Sequence, residues 1–227
     1  NSSFRYRAYN MVQVLNECTD DISASYFFLN DLHEIENIVD SADLLVVCRA
    51  RYCHRLANLI QRFKAKGKPV LFDVDDLVFD TRYVHLIVKT LGLNITDTGI
   101  WNWWFAYISR ISEAMRLCDR IITTNDFLAK KAEEFHAAPV KVVPNFMNKE
   151  QLRISDAIFS KREESGYRRN ERTCFGYFSG SPTHSLDFSM ISEAIQIILE
   201  SDPAVELLVV GYLEIDASFN RFGDRVR

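Results

Sequence analysis

The stretch that most constrains the fold is Lys68–Asp80, Lys-Pro-Val-Leu-Phe-Asp-Val-Asp-Asp-Leu-Val-Phe-Asp. A Gly-Lys-Pro turn, Gly67 to Pro69, releases a short apolar run, Val70 to Phe72, that ends in Asp73, Asp75 and Asp76. Apolar runs this short, bounded by turn signals, read as buried strands of a parallel sheet. Polar side chains at the carboxyl end of such a strand stand where open α/β sheets bind ligands. One Asp there suits a turn. Three clustered carboxylates raise one another's pKa and need a task or a counter-charge.

Strands and helices alternate around this stretch. Residues 6–16 have the spacing of an amphipathic helix, with Ala8, Met11, Val12 and Leu15 on one face. Arg5 and Arg7 fall in its first turn, where two guanidiniums beside free backbone amides could bind a phosphate. Tyr26 to Leu29 reads as a strand. Ala42 to Cys48 reads as a strand buried on both faces, with Arg49 and Arg51 following on its crevice side. Tyr52 to Lys66 and Ile100 to Cys118 are predicted helices, and Trp101, Trp103 and Tyr107 on the second are expected to pack in the core. Cys118 to Thr124 is a further strand, Asn125 caps a helix over Phe127–Phe135, and Val140 to Asn145 is the next strand. This rhythm predicts right-handed crossovers and a parallel sheet.

The charged, weakly periodic residues 148–172 read as a linker. A second β-α-β unit follows. Thr173 to Phe178 is a strand and Ser179 to His184 a small-residue loop. Leu186 to Glu200 is a helix with Leu186, Met190, Ile191, Ala194, Ile195 and Ile198 inward. Val205 to Val210 is a strand that ends in Gly211. A Gly/Ser/Thr turn leading into a helix offers amides and hydroxyls to an anion and suits a diphosphate. The reading is therefore three segments: an α/β domain over 1–147, a linker over 148–172 and part of a second Rossmann-like domain over 173–227. Neither an initiator Met nor the usual opening strand is present, so a piece of a longer protein is expected.

The formal charge of −4 gives no support for a nucleic-acid partner. Five cysteines, an odd number in mostly apolar surroundings, suggest buried reduced thiols and a cytoplasmic location. Cys48 and Cys53-His54 lack a second ligand pair at zinc spacing, so no metal is expected.

In order, the motifs resemble those of GT-B glycosyltransferases, in particular the retaining, nucleotide-sugar-dependent group 1 or family 4-like enzymes. Gly67 to Asp76 is similar to that family's GKPVV strand and the loop after it. Cys118 to Leu128 resembles its ADRVIT-SEFL segment, and Val142-Val143-Pro144-Asn145 its VIPNG. Phe175 to His184 resembles the IGYFSGTPTH loop of a polysaccharide-assembly branch, and Leu207 to Gly211 the LLVVG strand. The resemblance implies an acceptor-side first domain and a donor-side second one. It also implies transfer of a sugar from a nucleotide-diphospho-sugar to a saccharide or lipid-linked acceptor, with no cofactor required. Asp75 and Asp76 are then the candidate catalytic residues. Gly180, Ser181, Thr183, His184 and Gly211, with Arg5 and Arg7, are the donor-binding candidates. Asp73, Arg49 and Arg51 are the acceptor-side ones. The resemblance places the family's donor-holding glutamate pair downstream of residue 227, so this chain alone is expected to be inactive. The complete protein is expected in the cytoplasm, with peripheral association at the inner face of the membrane.

Two rival readings come from other classes. Phe72 to Leu77 is similar to the hhhDxDx[TV] motif of haloacid-dehalogenase-type phosphatases, with Asp73 as nucleophile and Asp75 as general acid/base. A non-catalytic nucleotide-sugar-binding module would keep the Gly180 loop and need no carboxylates.

Overall fold

The computed structural model describes residues 2–18, 20–33, 36–167, 172–180, 185–213 and 215–227. The chain divides into two compact units, Asn1–His85 with Thr96–Arg153, and Leu86–Ile95 with Ile154–Arg227. Each holds one parallel sheet, so the fold class is the α/β, Rossmann-like one expected.

The first unit carries a four-stranded sheet in the order β1 (Leu45–Cys48), β2 (Val70–Asp73), β3 (Arg120–Thr123), β4 (Val140–Val142). Their register runs Leu45↔Val70, Phe72↔Ile121 and Ile122↔Lys141. Connections run through α4 (His54–Ala65) from β1 to β2, α6 (Thr98–Arg116) from β2 to β3, and α7 (Asp126–Phe135) from β3 to β4. The chain opens with a helical run that is α over Ser2–Phe4 (α1), π over Arg5–Tyr9 and α again over Asn10–Cys18 (α2). A short helix α3 (Glu36–Ser41) precedes β1, and α5 (Val84–Thr90) follows β2.

Local chemistry sets the boundaries. Gly67, at φ 71°, ends α4, and the Lys68 amide bonds back to the Phe63 carbonyl at 3.1 Å. Lys68 Nζ then donates to the carbonyls of Asp40 and Ala42. The Val70 amide that starts β2 donates to Asp119 Oδ2 at 2.9 Å. The Asn125 side chain accepts from the Leu128 amide, as expected of a cap. The core gathers Ile60, Phe63, Val70, Phe72, Phe79, Ile108, Ile111, Met115 and Ile121.

Three expectations for this unit fail. Tyr26 to Leu29 is not a strand; Tyr26 and Phe28 instead pack their rings on Phe4, at 5.0 and 5.4 Å. β1 is covered on one face only rather than on both, since Val47 is buried while Val46, and Leu44 just before the strand, are exposed. Trp103 stands outside the core at 56% exposure, because α6 turns Ile108, Ile111 and Met115 to the sheet. The cysteines divide as well, since Cys18 and Cys174 are exposed and Cys118 alone is buried.

The second unit pairs β5 (Thr173–Ser179) with β6 (Val205–Gly211) in parallel, joined by α9 (Ser185–Ser201). Val226 bridges in parallel to Leu207, and the Arg227 amide and carbonyl bond to Leu207 and Val209, so these residues lie along one edge of β6. Its core is Phe188, Leu199, Val205, Leu207, Phe219 and Phe222. The inward face expected for α9 is out of phase. Phe188, Ile195 and Leu199 face the core, while Met190 is 80% exposed and Leu186, Ile191 and Ile198 are exposed too. A helix that is apolar on most sides gives periodicity little to choose from. The segment before β5 contains α8 (Lys149–Glu164), which buries no side chain. No helix among the described residues is long and apolar enough to cross a membrane.

Candidate functional site

At the carboxyl end of β2 the three carboxylates part company. Asp73 is 1% exposed, and Arg7 grips both its oxygens, Nε to Oδ1 at 2.8 Å and Nη2 to Oδ2 at 2.7 Å. This is the bidentate fork that guanidinium and carboxylate geometry favour. Arg7 Nη1 goes on to the Val143 carbonyl at 2.7 Å and to Asn145 Oδ1 at 3.3 Å, tying the end of β2 to the segment after β4. Burial pushes the Asp73 carboxyl up from its ordinary value, against the pull of the Arg7 hydrogen bonds and charge. Burial would lower Arg7, but the bonds and charge of Asp73 outweigh it and shift Arg7 up. Arg7 and Asp73 are each other's partner in a buried pair.

Asp75 and Asp76 point elsewhere. Arg49, just past β1, adopts φ 44°, a left-handed conformation that costs a non-glycine residue about 1–3 kcal/mol. Its amide donates to the Asp73 carbonyl at 2.8 Å. Its Nη1 donates to Asp76 Oδ2 at 2.5 Å, Ser3 Oγ at 3.1 Å and Asp75 Oδ1 at 3.3 Å. One cation thus holds two like charges together. The side chain of Asp75 is 13% exposed and that of Asp76 57%, so Asp75 is the sheltered carboxylate and Asp76 the solvated one. Nearby, burial first and then Asp73 and Asp75 push the Cys48 thiol up to about 12, so it stays protonated.

Arg51, two residues beyond Arg49, is exposed and lies over the Tyr107 ring at 5.0 Å from the centroid. Arg5 is exposed on the π turn.

Sequence reasoning missed Ser3, Asn10, Asn148 and Gln151. Asn10 is fully buried and donates to the Phe146 carbonyl at 2.8 Å. Asn148 and Gln151 cap α8 reciprocally, each side chain accepting from the other's amide, at 2.8 and 3.0 Å. The Asn-x-x-Gln spacing was the available signal, a variant of the capping box. Nothing local announced Asn10, whose partner is 136 residues away.

Within the second unit, Ser181, Thr183 and His184 lie outside the described residues. Gly180 and Gly211 are placed at the carboxyl ends of β5 and β6. Gly211 has φ 102°, and a Cβ there would run into the Ser179 carbonyl. Ser179 Oγ donates to the Tyr212 carbonyl at 2.7 Å, and the Tyr212 amide returns to the Ser179 carbonyl at 3.2 Å. This clasp fixes the point from which the Gly180 loop departs. Gly180 has open space where a side chain would grow. Among the described residues, no group of three His, Cys, Asp or Glu side chains is placed to hold a metal ion.

No family model matches the chain. No curated protein matches its sequence. Among solved structures, UGT2 of Phytolacca americana, complexed with UDP-2fluoro-glucose and pterostilbene, is similar at 12% identity and a TM-score of 0.46, over 94% of this chain and 59% of that one. UGT71G1 of Medicago truncatula, complexed with UDP-glucose, is similar at 15% identity and a TM-score of 0.37, over 88% and 52%. The chain spans somewhat more than half the length of either structure. At this distance the likeness carries nothing about the site.

Proposed function

We propose that the chain belongs to a glycosyltransferase of the GT-B class. More particularly, the complete protein moves a sugar from a nucleotide-diphospho-sugar to a hydroxyl of a saccharide or lipid-linked acceptor, in polysaccharide or glycoconjugate assembly. The observation that carries this reading is the Asp75–Arg49–Asp76 clamp at the carboxyl end of β2, beside a buried ion pair that holds the strand end rigid. Asp75 orients the acceptor hydroxyl or stabilises positive charge at the sugar carbon. Arg49 holds it in place. Negative charge develops on the leaving diphosphate, so preorganised donors aimed at it are the main catalytic need. The start of α9 supplies amides of the right polarity. In a retaining reaction the leaving phosphate takes the acceptor proton, and Asp75 supports rather than abstracts. The reading further puts the complete protein in the cytoplasm, with peripheral contact at the membrane's inner face.

The phosphatase alternative needs Asp73 as an in-line nucleophile with a free oxygen. Both of its oxygens are bonded to Arg7 in a buried fork, which weighs against that role. A non-catalytic module would leave the Arg49 strain without a purpose.

The test is Asp75→Asn in the complete protein, with transfer followed at saturating acceptor. Turnover should fall by orders of magnitude while donor affinity holds; unchanged turnover rejects a catalytic Asp75. In parallel, Gly180→Val should weaken calorimetric binding of UDP, GDP or ADP, whichever binds, without unfolding the unit, because the Cβ meets open space.

A further inference from the structure

We propose that Trp103, stacked on Tyr107 and joined by Arg51, forms a subsite for a pyranose bearing an acidic group, tied to the loop after β1 whose Arg49 clamps Asp75 and Asp76. The inference rests on the transferase reading and names the acceptor chemistry of the same strand end.

Scattered exposed hydrophobics are ordinary on protein surfaces. Trp103 is not scattered. Its indole stacks on Tyr107 at 5.3 Å with 22° between planes, and meets Trp104 edge-on at 4.8 Å. Trp103 and Tyr107 are four residues apart, neighbours on one face of α6. The other face of α6, through Ile108, Ile111 and Met115, is spent on the core. What remains is a rigid aromatic shelf whose outermost indole is more than half exposed.

The shelf is fixed to the carboxylate loop. The Tyr52 amide donates to the Arg110 carbonyl at 2.6 Å, and Arg110 Nε returns to the Tyr52 carbonyl at 2.9 Å. Arg51 lies between that tie and Arg49, which clamps Asp75 and Asp76. Arg49 and Arg51 are two residues apart, so one loop after β1 carries both the contact with the shelf and the clamp on the carboxylates.

The chemistry selects the occupant. The C–H face of a pyranose is apolar and weakly positive at its hydrogens, which suits the electron-rich face of an indole. Arg51 pairs with no carboxylate among the described residues, and its planar fork matches a carboxylate or a phosphate. A protein partner would need about 800 Å² on each side, more than three rings offer.

The experiment measures binding of trigalacturonate, maltotriose and glucose 6-phosphate to this chain, by tryptophan fluorescence and ligand-observed NMR. Trigalacturonate or glucose 6-phosphate should bind about tenfold tighter than maltotriose; whichever of the two wins identifies the acid. Trp103→Ala should weaken every binder about tenfold, Trp103→Phe less, and Arg51→Gln should abolish only the preference for acid. Trp103 is exposed, so the variants should melt as the wild type does. Failure of all three saccharides to bind, or binding indifferent to Trp103→Ala, overturns the subsite. Nucleotide binding to the complete protein judges the transferase separately. Nucleotide affinity without saccharide binding sinks the subsite alone, while Trp103-dependent saccharide binding without nucleotide affinity upholds the subsite and sinks the transferase.

Discussion

The two units are built from the same strand–helix–strand pattern and finish it differently. In the first, four strands give the apolar faces of α4, α6 and α7 a sheet wide enough to cover them, and Phe63, Phe72 and Phe79 are fully buried. In the second, two strands cover one face of α9. Phe178, at 74% exposure, and Met190 and Tyr212 stay in solvent. A parallel pair is a small sheet on which to build a core. Strand count, rather than apolar content, separates the two. The strand ends differ as well, since the first unit is locked by charge and the second by a backbone clasp around a glycine.

The comparison is broken most severely at Arg7. Arg7→Ala leaves Asp73 as a lone buried charge and should cost the first unit about 3–5 kcal/mol, while the second unit's urea transition stays put. Arg7→Met with Asp73→Leu should recover much of that loss; if the pair melts as low as the single variant, the fork is not what locks the strand end.

Gly211→Ala attacks the other lock. Backbone strain and collision with the Ser179 carbonyl should cost the second unit about 1–3 kcal/mol and leave the first unchanged. A wild-type melt would show that the clasp is dispensable.

Acid should sharpen the contrast. In the first unit Asp119 is held below its ordinary 3.8 by Lys64, and Asp40 by Lys66; at Asp80 burial opposes, but Arg82 outweighs it. Depressed carboxylates contribute stability above the unfolded value, and it is lost as pH falls through the folded one. Asp73, shifted the other way, works against this trend. The first unit's urea midpoint should therefore drop as pH falls below about 4, more than that of the second, where Asp216 is depressed by Ser218. Equal drops would mean that the ion pairs contribute little.

The smallest effect is expected at Met190. Met190→Gln should move the second unit's stability by less than about 0.5 kcal/mol, whereas Phe188→Ala should cost about 3–5. Similar losses from both would restore the helix phase read from the sequence.

What could be read in advance was local. Gly67 stopping α4, Asn125 capping α7 and the short apolar runs of β2 and β6 each act within a few residues, and each was found where expected. The failures came where distance or ambiguity decides. Tyr26 to Leu29 has the composition of a strand, but rings from Phe4 supply its partners. α9 has apolar residues on most sides, so only the sheet reveals which face is covered. The clustered carboxylates flagged a strand end worth inspecting. That Arg7, 66 residues earlier, would claim Asp73 while Arg49 took Asp75 and Asp76 is a matter of tertiary closure.

The long reach of the first helical run also sets a schedule. Asn10 has no carbonyl to meet until Phe146 exists, 136 residues later, and Arg7 waits equally long for Val143. At about 5–20 residues per second of synthesis, that delay is roughly 7–27 s. Throughout it the strand end lacks its last wall, and closing so long a loop is a slow step once the partners are present. The carboxylate site is thus among the last parts of this unit to take shape on a growing chain, after the helices and strands that flank it have already met.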